Sequence, residues 1–297
     1  MTSAIEVHGL RKAFREKVVV DDLNFSVSRG EVFALLGPNG AGKTTTINIL
    51  TTLIAADSGT ATVFGWDVHS QRTEVQRRIS LTGQSAAVDD ALSATENVVM
   101  FARLAGLGRS AARRRSAELI EQFDLVDAAS QRVRTFSGGM RRRLDLALSF
   151  VITPEVLFLD EPTTGLDTRS RHDLWGTIRQ VAGGGTTVFL TTQYLEEADQ
   201  LADRIAVLHN GRIAALGTPA ALKSRVGGDT VELHDDRGEL CREIPTDGTV
   251  ADVRRALDIL DAEGARGSVS LRRPSLDDVF LAVTSPDRSP LPLKEHA

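Results

Sequence analysis

Four short apolar runs, Val32 to Leu36, Val156 to Leu159, Val188 to Leu190 and Ile205 to Leu208, are separated by amphipathic or turn-rich stretches. Runs that stay apolar instead of alternating predict strands buried on both faces, the mark of a mainly parallel sheet covered by helices. Around Ile5 to Val7 and Leu23 to Val27 apolar and polar residues do alternate, which predicts a half-exposed antiparallel β element beside that sheet. Asn210-Gly211, set between Ile205 to Leu208 and Arg212 to Leu216, predicts a tight hairpin because both central residues tolerate positive φ.

Between about residues 85 and 150 the strand signal fades. Ser93 and Glu96 form a capping box ahead of Val98, Phe101 and Ala105 on one helical face. A helix-like stretch with Leu119, Ile120 and Phe123 begins at Arg113-Arg114-Arg115, a run that reads as a solvated helix face. The pattern predicts a helical subdomain inserted into an α/β core.

After about residue 226 two strand-like pieces, Thr230 to Leu233 and Glu239 to Ile244, flank the turn-rich Asp235-Asp236-Arg237-Gly238. A helix with Val250, Val253, Leu257 and Leu260 inward follows, then a strand from Ser268 to Leu271. Ser275 and Asp278 cap a last helix expected to bury Val279, Phe280 and Val283. The expected organisation is therefore an α/β domain over 1–225, a small α+β domain over 226–285 and a disordered, proline-rich tail over 286–297.

A length of 297 residues accommodates that plan. A net charge of -5 lacks the basic excess of a dedicated nucleic-acid binder, so no nucleic-acid partner is expected. Cys241 is the only cysteine, which excludes intramolecular disulfides and multi-cysteine metal sites and suits a reducing compartment. No stretch approaches the length of apolar sequence needed to span a bilayer. Any membrane role would require docking onto another protein.

The chemistry concentrates in three segments. Gly37-Pro38-Asn39-Gly40-Ala41-Gly42-Lys43-Thr44 follows an apolar strand and opens a helix carrying Ile47, Leu50 and Ile54, the context that a phosphate-binding loop requires. Its glycines let backbone N–H groups turn toward phosphates, Lys43 reaches the β/γ-phosphates, and the Thr44 hydroxyl ligates Mg²⁺. ATP with Mg²⁺ is the expected ligand. Val156 to Leu159 ends in Asp160-Glu161, and strand ends of open α/β sheets face the ligand crevice. Asp160 is placed to hold Mg²⁺, directly or through water, and Glu161 to polarise the attacking water as general base. Phe136-Ser137-Gly138-Gly139-Met140-Arg141 precedes the helix-like Leu144 to Phe150, so Ser137 and the glycines stand where an N-cap and exposed N–H groups would stand.

In this order and spacing, the segments resemble the ATP-binding cassette (ABC) ATPases over residues 1 to about 218. The phosphate loop and Asp160-Glu161 match the two Walker motifs of that family, and Ser137-Gly138-Gly139 its signature. Gln84 matches the glutamine at the boundary with the helical subdomain and Gly165-Leu166-Asp167 the loop after the catalytic glutamate. Phe14 falls where an aromatic stacks on adenine. The resemblance implies nucleotide contacts from Phe14, Gly37, Asn39, Gly40, Gly42, Lys43, Thr44, Thr45, Gln84, Ser137, Gly138, Gly139 and Asp167. It implies metal ligation by Thr44, Gln84 and Asp160, and catalytic roles for Lys43, Glu161 and Gln193. The implied fold is a P-loop NTPase ABC cassette with a small C-terminal α+β domain.

Two departures carry information. The family's switch histidine is replaced by Gln193, which donates and accepts hydrogen bonds but does not titrate near neutrality. The signature reads Phe-Ser-Gly-Gly-Met, so a polar contact is missing at Met140. Together with Thr191 to Asp199 and Leu276-Asp277-Asp278-Val279-Phe280-Leu281, these features are similar to the daunorubicin/doxorubicin-resistance ATPase subfamily. That resemblance implies a homodimer of cassettes and a separate integral-membrane permease, with the chain peripheral on the cytoplasmic face and no direct cargo contact. Its expected role is powering efflux of a hydrophobic drug or antibiotic. Lipid, polysaccharide or peptide cargo stays open, as does a soluble cassette ATPase of translation or DNA repair. The last usually has two cassettes, a long coiled-coil insertion or basic segments, none of which is present here.

Overall fold

The computed structural model describes residues 3–83 and 87–284. The chain divides into two compact units, Met1–Leu216 and Gly217–Ala297. Gln84 and the proline-rich tail lie outside the described residues.

The first unit begins with β1 (Ser3–Phe14) and β2 (Lys17–Ser28), then β3 (Val32–Leu36), the loop, and α1 (Lys43–Leu50). Next come β4 (Ser58–Val63), β5 (Trp66–Asp67), α2 (Arg72–Gln76) and β6 (Ile79–Thr82). The helical insertion supplies α3 (Ala94–Leu104), α4 (Arg109–Gln122) and α5 (Gly138–Ser149). The unit closes through β7 (Val156–Asp160), α6 (Thr168–Gly183), β8 (Thr187–Thr192), α7 (Leu195–Leu201), β9 (Arg204–His209) and β10 (Arg212–Gly217).

Six strands form one sheet in the order β10-β9-β3-β8-β7-β6, with β9, β3, β8, β7 and β6 parallel. Every residue of β3, β7 and β8 is buried, which is why their sequences do not alternate. A second sheet, β2-β1-β4-β5, is antiparallel. Of its strands, β4 and β5 were not evident in the sequence, since Ser58-Gly59-Thr60 reads as a turn. The two sheets are joined by phenylalanines: Phe25 stacks on Phe33 at 5.3 Å, Phe33 on Phe189 at 5.5 Å, and Phe158 meets Phe189 at 5.5 Å. Aromatic groups of this size dominate core energetics. The hairpin at Asn210-Gly211 forms, with φ of 48° and 78°.

In the helical insertion the capping box is present: Glu96 N donates to Ser93 Oγ and Ser93 N to Glu96 Oε2. The arginine run departs from a solvated face. Arg113 and Arg114 are exposed, but Arg115 donates to the carbonyls of Phe150 at 2.7 Å and Val151 at 3.4 Å. A cation there satisfies carbonyls that the end of α5 leaves unpaired.

The second unit comprises α8 (Pro219–Ser224), β11 (Asp229–His234), β12 (Leu240–Thr246), α9 (Val250–Ala262), β13 (Ser268–Arg272) and α10 (Leu276–Thr284). Because α8 packs on α10, the division falls at Leu216/Gly217 instead of after residue 225. Its sheet order is β12-β11-β13, which leaves Pro245 on an edge strand where its missing N–H costs no ladder bond. The inward face of α9 is Val253, Ala256 and Leu260 against Val231 and Leu233. Val250 and Leu257 are exposed, contrary to the sequence expectation: the stripe that meets the sheet starts in the second turn, and residue 257 lies about 100° away from 256 around the helix. On α10, Val279 is buried, whereas Phe280 and Val283 are only partly so.

Phe189 touches three other rings, so Phe189→Ala should lower stability by about 3–5 kcal/mol. Urea unfolding followed by fluorescence checks this, and a loss below about 1 kcal/mol would contradict a load shared through that ring.

Candidate functional site

The loop Gly37–Thr44 leaves the C-terminal end of β3, and its backbone is set by contacts that a side chain would block. A Cβ on Gly37 would meet Leu208 O at 2.5 Å, and one on Gly42 would meet Val19 O at 2.6 Å. Gly42 also has φ of 112° and Gly40 of 80°, conformations that favour glycine. Gly42 is the N-cap of α1, so the first-turn N–H groups point into the loop without helical carbonyl partners. Lys43 folds back under the loop, donating to Gly37 O at 2.8 Å and Pro38 O at 3.1 Å.

Two carboxylates arrive from β7. The Thr44 hydroxyl donates to Asp160 Oδ2 at 3.0 Å, and the Thr191 hydroxyl to Asp160 Oδ1 at 2.6 Å. Glu161 Oε1 stands 3.1 Å from Lys43 Nζ, in an ion pair with little exposure on either side. Glu161 has φ of 50°, an uncommon conformation for a residue with a side chain. Its N–H is held by the Thr191 carbonyl and hydroxyl, each at 3.1 Å. Thr191 therefore braces the Asp160 carboxylate and the backbone of Glu161. The sequence reading assigned it no role, although a polar residue closing an apolar strand was a usable signal.

Gln193 follows the end of β8, next to the strand that carries Glu161, and is half-buried. Behind it lies a polar group that sequence reasoning missed. Glu197 on α7 is fully buried and accepts the Trp175 indole N–H at 3.1 Å. Burial pushes its carboxyl up from the ordinary glutamate range, opposed by the neighbouring Thr192 and Thr163 hydroxyls, the Trp175 N–H and the Arg171 charge.

The structure gathers Gly37, Asn39, Gly40, Gly42, Lys43, Thr44, Thr45, Asp160 and Glu161 at one place. A cleft of about 220 Å³ is lined by Val19, Asn39, Gly40, Gly42, Lys43, Thr44, Thr45 and Glu161. Ser137, Gly138, Gly139 and Asp167 do not line it and form a second group. Ser137 caps α5, accepting from Met140 N at 3.2 Å. Gly139 packs so closely that a Cβ would lie 2.8 Å from Ser170 Oγ. Asp167 caps α6: the Ser170 backbone N–H and hydroxyl, at 2.9 and 2.7 Å, hold its carboxyl below the usual range. Phe14 is exposed at the tip of the β1–β2 hairpin, beneath the Lys12 ammonium. A larger cleft, about 720 Å³, lies in the second unit. Its one arginine, Arg272, is already paired with Glu232 and Asp278, so it lacks the free donors of the loop.

The donor set suits a nucleoside triphosphate with a hard cation. Backbone N–H groups, a helix N-terminus and a buried ammonium converge on the loop, and a hydroxyl with one adjacent carboxylate is the usual protein share of a Mg²⁺ site that also holds phosphate and water. Asp160 and Thr44 would hold the cation.

A sequence model of the family described as ABC transporter matches residues 20–164. The daunorubicin/doxorubicin resistance ATP-binding protein DrrA of Streptomyces peucetius is 50% identical, covering 95% of this chain and 93% of that protein. The Nod factor export ATP-binding protein I of Ralstonia nicotianae is 42% identical, covering 79% of this chain and 74% of that protein. Among solved structures, the ATP binding subunit of an ABC transporter superposes with a TM-score of 0.65 at 29% identity, over 75% of this chain and 93% of that one.

The buried Glu197 has a measurable signature. A carboxyl whose folded pKa is raised binds more protons folded than unfolded, so its contribution is full below the ordinary glutamate range and is lost as pH rises through the raised value. Glu197→Gln, which carries no titrating group, should therefore gain stability relative to wild type between about pH 5 and about pH 8 in urea unfolding. A difference that stays constant over that range would show that Glu197 titrates normally.

Proposed function

The chain belongs to the ABC transporter ATP-binding family, among its daunorubicin/doxorubicin-resistance members, and from this we propose how its residues hydrolyse ATP and what that hydrolysis drives. It is an ATP-binding, ATP-hydrolysing subunit. The observation that carries the residue assignment is the convergence of Lys43, Glu161, Thr44 and Asp160 at the C-terminal ends of β3 and β7, which flank β8 in one sheet.

Backbone N–H groups of Asn39 to Thr45 and the Lys43 ammonium hold the β/γ-phosphates. Lys43, paired with Glu161 in this structure, exchanges that partner for phosphate oxygens, which frees the Glu161 carboxylate to take the proton of the attacking water. Gln193 positions that water through its amide, and Phe14 stacks on adenine. Mg²⁺, when bound, neutralises phosphate charge; Thr44 and Asp160 hold it, directly or through water, with Gln84 as a further ligand. Ser137, Gly138, Gly139 and Asp167 complete the site of a second copy. Their position outside the cleft of their own chain supports that reading.

ATP-driven pairing of two copies then works a separate integral-membrane permease. Among the described residues no helix is long and apolar enough to cross a membrane, so the chain would sit peripherally on the cytoplasmic face, without cargo contact. The similarity to DrrA supports a hydrophobic drug or antibiotic as cargo. The similarity to a Nod factor export protein supports the same role with a different cargo. Co-purification of the permease and measurement of cargo-stimulated ATPase activity separate the two.

Glu161→Gln should keep ATP binding and lose about 100-fold or more in kcat; normal turnover by that variant removes the assigned base. Gln193→His should retain hydrolysis and Gln193→Ala should lose it in phosphate-release assays, whereas full activity of the alanine variant would show that no side chain is needed there.

A further inference from the structure

Five residues beyond the Ser137 cap of α5, in the second turn of that helix, a cation is buried against the backbone of the hydrolytic site. Arg142 is 7% exposed. Its Nε donates to Pro162 O at 2.9 Å, and its Nη1 to Gly83 O at 2.7 Å and Asp145 Oδ2 at 3.1 Å. Asp145, itself buried, accepts Ala87 N at 2.9 Å. The pair thus grips chain from three places: the residue after Glu161, the residue after β6, and the start of the helical insertion.

We infer that Arg142 is a positioning residue for hydrolysis, fastening the helix that begins at Ser137 to the backbone carrying Glu161. This rests on the assignment of Glu161 as the base. Glu161 adopts a left-handed conformation, φ of 50°, which persists only when its surroundings hold it. On its N-terminal side Thr191 does so. On its C-terminal side the Thr164 N–H closes a turn on the Glu161 carbonyl at 3.3 Å, and within that turn Pro162 has no N–H to offer, so its carbonyl is the handle left for a contact from outside the turn, and Arg142 takes it. The planar guanidinium is suited to this because its fixed fork serves two carbonyls and a carboxylate at once.

Burial lowers the Arg142 pKa and raises that of Asp145, the mark of charges removed from water at a cost. Such pairs add little net stability over apolar residues of equal volume. What the pair supplies is geometry: α5 cannot tilt without pulling on Pro162 and Gly83. The end of α5 that would contact a second copy and the carboxylate that would activate water in the same copy are thereby parts of one lever.

The test uses the full chain with Arg142→Lys, which keeps the charge and loses the fork, and Arg142→Met with Asp145→Leu, which removes both buried charges together. Phosphate release gives kcat, and a fluorescent ATP analogue gives Kd. Both variants should lose about tenfold or more in kcat with Kd within about threefold of wild type, because misplaced catalytic groups slow chemistry without weakening ground-state binding. A kcat within about twofold of wild type, or a Kd that weakens in proportion to kcat, overturns the inference. Should the double variant not fold, the lysine variant decides by the same criteria. Glu161→Gln is measured alongside. If it hydrolyses normally, the base assignment fails; if it is inactive while the Arg142 variants are unaffected, only the lever fails.

Discussion

The register among β3, β8 and β7 is the constraint on which the site depends. Leu36 pairs with Thr192 and Asp160 with Thr191, so three parallel strands end level with one another. Strands of a parallel sheet all present their C-terminal ends on one side. The loop after β3, the carboxylates ending β7 and the polar end of β8 therefore meet without any long-range folding of loops. Within these largely apolar strands, Asp160, Thr191 and Thr192 gather at the C-terminal edge, buried beneath the loop that follows β3. Thr191 sits at the centre of this arrangement, with one hydroxyl touching both Asp160 and the backbone of Glu161.

Legibility in the sequence followed the range of the interactions. The apolar runs of the central strands, the hairpin at Asn210-Gly211 and the capping box at Ser93 each leave a pattern within a few residues of sequence, and all appear as read. The loop Gly37–Thr44 was readable because its glycines answer a local backbone demand. What stayed hidden depends on partners far along the chain. Arg115 looks like any surface arginine until Phe150 is brought beside it, and Glu197 looks like an exposed helix glutamate until Trp175 covers it. The face of α9 was misjudged for a similar reason: Val250 and Val253 are equally apolar, and only the position of Val231 and Leu233 distinguishes them.

The two groups of functional residues are built to different standards. Around Lys43 the atoms are buried and multiply bonded, so the geometry is fixed within one chain. In the other group Ser137, Gly138 and Asp167 are exposed, and the fixed feature is Gly139, buried by its tight packing on Ser170. That packing leaves the face of α5 bare of side chains at its N-terminus, where helix N–H groups can meet an anion. A larger residue at 139 would push α5 off α6 before it affected any partner.

The pairing of Lys43 with Glu161 also governs what substitution can do at this spot. Both groups have little exposure, so removing either one leaves the other as an uncompensated charge inside the protein. A change at Lys43 or Glu161 alone would therefore be felt by the stability of the loop, and exchanging the two together for neutral side chains would disturb it less than exchanging one.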